Sequence, residues 1–259
     1  MGKYSPYLEA AKDVAVKAGE LIRKSYYQAG KVFFKGEINL VTKTDISSQD
    51  LIFGRLAKEF PDHDFLAEEG LRKLTGAEFR WVFDPLDGTT NFAHRFPVFS
   101  VSIGLEHRGR LVCGVVFNPM SGEMFSAERG RSAHLDGKRI HVSATADLGR
   151  GLLATGFPYD VRETKTNIAN HERFLLKAQG VRRCGSVALD LCFIACGRFD
   201  GFWEMKLNPW DIAAGVVIAE EAGGIVTDFE GRPVDIYRPE IVASNGRIHR
   251  SMLEVLSIK

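Results

Sequence analysis

Asp84-Pro85-Leu86-Asp87-Gly88-Thr89-Thr90-Asn91 follows a short apolar run, Trp81-Val82-Phe83, which reads as a buried strand. Two carboxylates three residues apart stand where that strand is expected to end. Pro85 has no N–H and a fixed φ, so the chain is expected to leave the sheet there. Gly88 permits a tight turn or a close approach to a ligand. Thr89 and Thr90 bring hydroxyls, and the amides of such a turn can face an anion. Two adjacent buried acids repel unless something positive sits between them, and a divalent cation is the simplest candidate. The same letters also spell an Asp-Pro turn and an Asp-Gly turn, both common in loops.

Upstream, apolar residues at Leu8, Ala11, Val14, Ala15, Ala18, Leu21, Ile22 and Tyr26 have helical spacing, with Gly30 as the stop. Val32-Phe33-Phe34 suggests a strand and Lys35-Gly36-Glu37 a turn. Asp45, Ser47 and Ser48 mark the start of a helix carrying Leu51, Ile52, Leu56 and Phe60. Asp45 reads either as its N-cap or as a carboxylate aimed at the cleft of Asp84 and Asp87. Phe65-Leu66-Ala67 is a short strand ending in Glu68-Glu69, a solvated pair or a ligand. Residues 71–79 read as a polar surface connection.

Downstream, Val98 to Leu105, Leu111 to Phe117 and Glu123 to Ala127 form an antiparallel meander separated by turn residues. Asp136-Gly137 turns the chain into a strand at Ile140 to Val142. Residues 145–149 are the expected boundary between an N-terminal lobe (1–145) and a C-terminal lobe (146–259). Beyond it, strands and helices alternate, which predicts an α/β lobe. Strands are expected at 151–155, 181–184, 202–205, 225–227 and 241–243, and helices at 166–178, 187–196, 212–222 and 248–256. Asn208-Pro209-Trp210-Asp211 opens the third of these helices, with Gly223-Gly224 as its stop. Asp211 suits the helix dipole, yet the apolar helix behind it suggests a buried acid that needs a partner. Glu204, inside an aromatic strand, raises the same question.

Composition narrows the function classes. The chain has 259 residues, 45% hydrophobic and 26% charged, with a net charge of +1. That suits one large domain or two fused lobes and gives no bulk electrostatic case for nucleic acid or an anionic membrane. The first residues lack the apolar core of a signal peptide, and no apolar run is long enough to span a bilayer. Cys113, Cys184, Cys192 and Cys196 form no C-x-x-C pair, which points to reduced thiols and a cytoplasmic protein. The histidines lack zinc spacing, so a carboxylate site calls for a hard cation, Mg²⁺ or Mn²⁺.

Asp45, Glu68, Asp84, Asp87 and Asp211 thus fall at strand ends or helix starts. Gathered at one sheet edge, they would hold two or three divalent ions. Such ions can activate a water and offset charge on a departing oxygen. Asp45 and Thr89 would orient the nucleophile or take its proton, and the amides of Gly88 and Thr89 would hold phosphate oxygens.

Asp84-Pro85-Leu86-Asp87-Gly88-Thr89-Thr90-Asn91-Phe92, with Ala67-Glu68-Glu69 before it and Trp210-Asp211-Ile212-Ala213-Ala214-Gly215 after it, resembles the inositol monophosphatase family. The likeness covers essentially the whole chain. It implies an α/β (α+β) fold, a layered α-β-α-β-α sandwich with an N-terminal antiparallel-sheet lobe and a C-terminal α/β lobe, usually a homodimer. It also implies a Mg²⁺-dependent, lithium-sensitive phosphatase. Carried over by motif, Glu68, Asp84 and the Leu86 carbonyl would bind a first metal. Asp84, Asp87 and Asp211 would bind a second, and Glu68 would help hold a third through water. Asp45 and Thr89 match the pair that activates the attacking water, and Gly88 and Thr89 the phosphate-binding amides. Glu204 matches an acid that hydrogen-bonds inositol hydroxyls, and Gly185-Ser186-Val187 the segment lining the sugar side, with Val187 where Ala is common. Lys35 falls in a loop that often places a lysine near the site. The expected substrate is myo-inositol 1-phosphate. Fructose 1,6-bisphosphate or NADP(H) is the alternative within the class. A partner-binding role in transcription complexes is the alternative outside it.

Overall fold

The computed structural model describes residues 2–28, 32–34 and 40–258. Lys35, the Lys35-Gly36-Glu37 turn and the Gly30 stop lie outside the described residues. Helix α1 (Ser5–Tyr27) buries Leu8, Ala11, Val14, Ala15, Ala18, Ile22 and Tyr26, the stripe that its sequence spacing predicts. Strands β1 (Val32–Phe34) and β2 (Leu40–Thr42) pair as an antiparallel hairpin. Helix α2 (Lys43–Glu59) starts before Asp45, so Asp45 lies in the first turn and is not the N-cap. An acid there still faces the positive end of the helix.

An eight-stranded sheet follows. Its strands are β3 (Asp64–Ala67), β4 (Arg72–Lys73), β5 (Phe79–Asp87), β6 (Ser100–His107), β7 (Arg110–Phe117), β8 (Met124–Glu128), β9 (Ala133–Leu135) and β10 (Lys138–Arg139), with the short helix α3 (Thr89–Ala93) between β5 and β6. The spatial order is β10-β9-β8-β7-β6-β5-β3-β4. The sheet is antiparallel except for β3 and β5, which run parallel. Three expectations change here. Pro85 does not end its strand, because β5 runs on to Asp87. Asp84 pairs with Ser102 and Asp87 with Ser100, so three steps on β5 oppose two on β6. A bulge of this kind accommodates a proline and re-aims the side chains around it. The stretch read as a plain connection contains β4, and the Asp136-Gly137 turn joins β9 to β10, not to a strand at Ile140 to Val142.

The second sheet has five strands: β11 (Leu152–Thr155), β12 (Gly180–Arg182), β13 (Gly201–Met205), β14 (Ile225–Thr227) and β15 (Glu240–Ser244), in the order β12-β11-β13-β15-β14. β12, β11 and β13 are parallel, and β15 is antiparallel to both β13 and β14. Helices α4 (Val161–Thr164), α5 (Ile168–Leu175), α6 (Val187–Ala195), α7 (Pro209–Glu221) and α8 (His249–Leu256) belong to this half. The single helix expected over 166–178 is shorter, and α4 precedes it.

The layers follow from burial. α1 and α2 cover one face of the first sheet over Trp81, Phe83, Val101, Ile103 and Val115. α6 and α7 fill the space between the sheets. α5 and α8 cover the outer face of the second sheet over Trp203, Leu153 and Val242. This is an α/β sandwich of five layers, α-β-α-β-α. α7 buries residues 212–219 without a break, as a helix lying between two sheets must. Each fully buried Ile or Val there contributes roughly 1.5–3 kcal/mol. Among the described residues no helix is long and apolar enough to cross a membrane.

Candidate active site

The β5 bulge and the helix starts around it converge on one pocket. Glu68, Asp84, Leu86, Asp87, Gly88, Thr89 and Asp211 all line it. Glu68 follows β3, and α2 holds its neighbour, since Gln49 Oε1 accepts from Glu69 N (3.1 Å) and Gln49 Nε2 donates to Glu69 O (3.2 Å). Ser48 Oγ donates to Pro85 O (2.8 Å) and pins the bulge to α2. Asp84 Oδ1 accepts from Leu86 N (2.9 Å). Gly88 has φ 95°, and a Cβ there would lie 3.0 Å from Val98 O and 3.2 Å from Gly185 O. Only glycine fits both the conformation and the space.

Asp45 is fully buried and accepts from Thr89 Oγ1 at 2.9 Å. Leu86 O lies 3.1 Å from the same hydroxyl. Asp87 is held from the other half of the chain, because Ala188 N donates to Oδ2 (3.0 Å) and Ser186 Oγ donates to the same oxygen. Ser100 Oγ also reaches it at 3.3 Å. Asp211 Oδ2 accepts from Asn208 N (2.7 Å), so Asp211 caps α7 as well as lining the pocket. Asn91 Nδ2 donates to Val98 O and Cys184 O, both at 2.7 Å, and ties α3 to the Gly185-Ser186-Val187 segment.

These acids are strongly perturbed. Burial, then the charges of Glu68, Asp87 and Asp211, push the Asp84 carboxyl well above the carboxylate range. Burial raises Asp87 to about 6 against the bonds from Ser186, Ala188, Val187 and Ser100. Burial also raises Asp211 to about 7, with the Asn208 amide opposing and the charge of Asp87 adding. Glu204 is pushed well up by burial and then by the charges of Asp190 and Asp211.

Among the described residues no group of three or more His, Cys, Asp or Glu side chains is already gathered as a metal site. The chemistry of the donor set nonetheless fits a hard divalent cation. It is all oxygen, four carboxylates and the Leu86 carbonyl, and the charge on Asp84 is disfavoured by Glu68, Asp87 and Asp211 and that on Asp211 by Asp87. A cation between them removes that repulsion.

Lys35 lies outside the described residues; the other residues expected from sequence are placed on this pocket or next to it. Asp45 lies behind the wall, against Thr89. Gly185, Ser186, Val187 and Glu204 line the pocket, although the Ser186 hydroxyl is turned onto Asp87. Sequence reasoning missed Gly156, Tyr159, Arg183, Asp190 and Lys206, which also line it. Asp190, an acid inside the apolar run of α6, carried a readable signal; the others carried none.

A sequence model of the inositol monophosphatase family matches residues 3–258. The chain is 41% identical over 264 residues to inositol monophosphatase 3 of Solanum lycopersicum, covering 99% of this chain and 98% of that one. It is 42% identical over 252 residues to Nus factor SuhB of Escherichia coli, covering 96% and 94%. The solved structure of an inositol monophosphatase from Anabaena superposes with a TM-score of 0.91 at 39% identity, covering 98% and 96%.

Proposed function

Because the chain belongs to the inositol monophosphatase family, we propose that it is a Mg²⁺-dependent phosphomonoesterase that hydrolyses myo-inositol 1-phosphate to inositol and phosphate. Acids from separate segments of the chain, Glu68, Asp84, Asp87 and Asp211, line one pocket with Thr89, and this single observation carries the reading. Glu68, Asp84 and the Leu86 carbonyl would hold one Mg²⁺, and Asp84, Asp87 and Asp211 a second. Glu68 would support a third through water, and Mn²⁺ suits the same donors. Bound there, the metal supplies positive charge beside the phosphate and lowers the pKa of a water.

The chain's own residues do the rest. The Thr89 hydroxyl donates to Asp45, which leaves its lone pairs to accept from an attacking water. Asp45 is then the terminal proton acceptor. The amides of Gly88 and Thr89 hold phosphate oxygens as α3 begins. Glu204 reads leaving-group hydroxyls beside Gly185 and Val187. Ser186 fixes Asp87, a ligand of the second metal in this reading. The enzyme is proposed to work in the cytoplasm as a homodimer, with residues 1–145 and 146–259 as its two lobes.

The test is phosphate release from a panel of esters, with Mg²⁺ and Li⁺ varied. Inositol 1-phosphate is expected to lead, Li⁺ to inhibit, and Asp84→Asn to abolish turnover. Faster hydrolysis of fructose 1,6-bisphosphate or NADP(H) would replace the inositol reading with a broader sugar phosphatase. The similarity to a protein named Nus factor SuhB favours a second reading, a regulatory partner-binding role. An Asp84→Asn chain that loses turnover yet keeps its cellular role would support it.

A further inference from the structure

Glu204 sits in a tightly defined place. A Cβ on Gly156 would overlap both of its carboxylate oxygens, so the bare Gly156 backbone forms one wall of the carboxyl's seat. Glu204 Oε2 is buried and, among the described residues, has no hydrogen-bond partner. A buried acceptor left this way has a deficit that a ligand hydroxyl can fill.

Both sides of that contact are fixed by one side chain. Asn167 Nδ2 donates to Gly156 O (2.7 Å) and to Thr155 Oγ1 (2.8 Å). Trp203 Nε1 donates to Asn167 Oδ1 at 2.7 Å, and Thr155 Oγ1 donates to Trp203 O at 2.6 Å. An indole nitrogen only donates and a carbonyl only accepts, so the orientation of the Asn167 amide is forced. Trp203 immediately precedes Glu204, and Thr155 immediately precedes Gly156. The clamp therefore locks the end of β11 to β13 beside the carboxyl. Asn167 is buried and adopts φ 69°, a conformation that asparagine tolerates better than most residues.

We propose that Gly156 and Asn167 are positioning residues that set which leaving group the pocket accepts, by holding the Glu204 carboxyl in one place. The inference rests on the reading of Glu204 given above. Gly156→Ala drives a methyl into the seat. Asn167→Ala frees the Gly156 peptide without adding an atom there.

The experiment compares kcat and KM for myo-inositol 1-phosphate and phenyl phosphate, whose leaving group bears no further hydroxyl. The wild type, Glu204→Ala, Gly156→Ala, Asn167→Ala and the Gly156→Ala/Glu204→Ala pair are measured with Mg²⁺. Gly156→Ala is expected to lower the ratio of kcat/KM between the two esters about tenfold, mostly through the KM of the inositol ester. The double variant is expected to be no less selective than Glu204→Ala alone, because both changes remove one interaction. If Gly156→Ala does not fold, Asn167→Ala is expected to move the ratio in the same direction. Equal losses on both esters, or additive losses in the double variant, would overturn the positioning role while leaving Glu204 as the reader. A Glu204→Ala ratio equal to wild type would overturn both readings.

Discussion

Thr89 has one hydroxyl proton and two acceptors in reach, Asp45 Oδ1 at 2.9 Å and Leu86 O at 3.1 Å. A charged acceptor makes the stronger bond, so the proton belongs to Asp45 and the oxygen's lone pairs remain available. Thr89→Ala should lower kcat about 10²- to 10³-fold with little change in KM, as loss of a proton-transfer group does. Thr89→Ser should keep most of the rate, and steady-state kinetics decides. Equal rates for the Ala and Ser variants would remove Thr89 from the chemistry. Ser186 makes a parallel case. Its bond favours the charged form of Asp87, so Ser186→Ala should raise that carboxyl further above about 6. Because protons compete with metal for the same oxygens, the Mg²⁺ concentration for half-activity at pH 6.5 should rise. No rise in titrations of activity against Mg²⁺ would count against it. That Glu68, Asp84, Asp87 and Asp211 share one pocket, with Asp45 behind its wall, was foreshadowed in the sequence, because all five fall at expected strand ends or helix starts. The Ser186 hydroxyl was legible only as a neighbour of the site, since its partner lies 99 positions away in the chain.

Elements show a similar split between what spacing carries and what pairing carries. α1 was readable from its apolar stripe, and α7 from Asn208-Pro209 before it and Gly223-Gly224 after it. β4, β9 and β10 have two or three residues each. Too short for a period of two to register, they exist because a neighbouring strand offers hydrogen bonds. The strand through Pro85 was hidden for a related reason. Local chemistry says that the chain must leave the sheet, whereas β5 stays paired with β6 through a bulge. Gly156 had no signal, because the need for its missing side chain comes from Glu204 on another strand. The seat of α7 on the first sheet depends on a similar absence. A Cβ on Gly114 would collide with the Ala214 carbonyl, and one on Gly104 would lie 2.8 Å from Ala213 Cβ. Gly114→Val should therefore destabilise by about 1–3 kcal/mol, the usual cost of overpacking a core. Thermal unfolding should show a fall of several degrees, and an unchanged midpoint would mean that α7 has room to move.

Across the whole molecule the net charge is only +1, yet negative charge is concentrated in one pocket shared by both halves of the chain. Burial raises the carboxyls in the fold, Asp87 to about 6 and Asp211, with the charge of Asp87 adding, to about 7, from 3.8. A raised acid keeps its proton longer in the folded state than in the unfolded state. Metal-free stability from these groups therefore falls as pH rises from about 4 through about 7. His63 and His249 act in the opposite sense, since burial lowers both and their contribution grows as pH rises through 6.5. The net slope of metal-free stability is therefore a poor test. The shift in midpoint on adding Mg²⁺ is a better one, because the histidines contribute alike with and without metal. At about a hundred times its dissociation constant, Mg²⁺ adds about 2.7 kcal/mol, or roughly 5–10 °C for a chain of this size. That shift should be larger at pH 7.5, above the values of about 6 for Asp87 and about 7 for Asp211, than at pH 5.5, where protons occupy both. Asp84→Asn provides the control. It removes the carboxyl whose ionisation burial and the charges of Glu68, Asp87 and Asp211 oppose, so without metal at pH 7.5 it should unfold at a higher temperature than wild type. With Mg²⁺ it should gain little. A metal shift independent of pH, or an Asn variant less stable than wild type without metal, would show that these side chains do not repel one another enough to govern the stability of the fold.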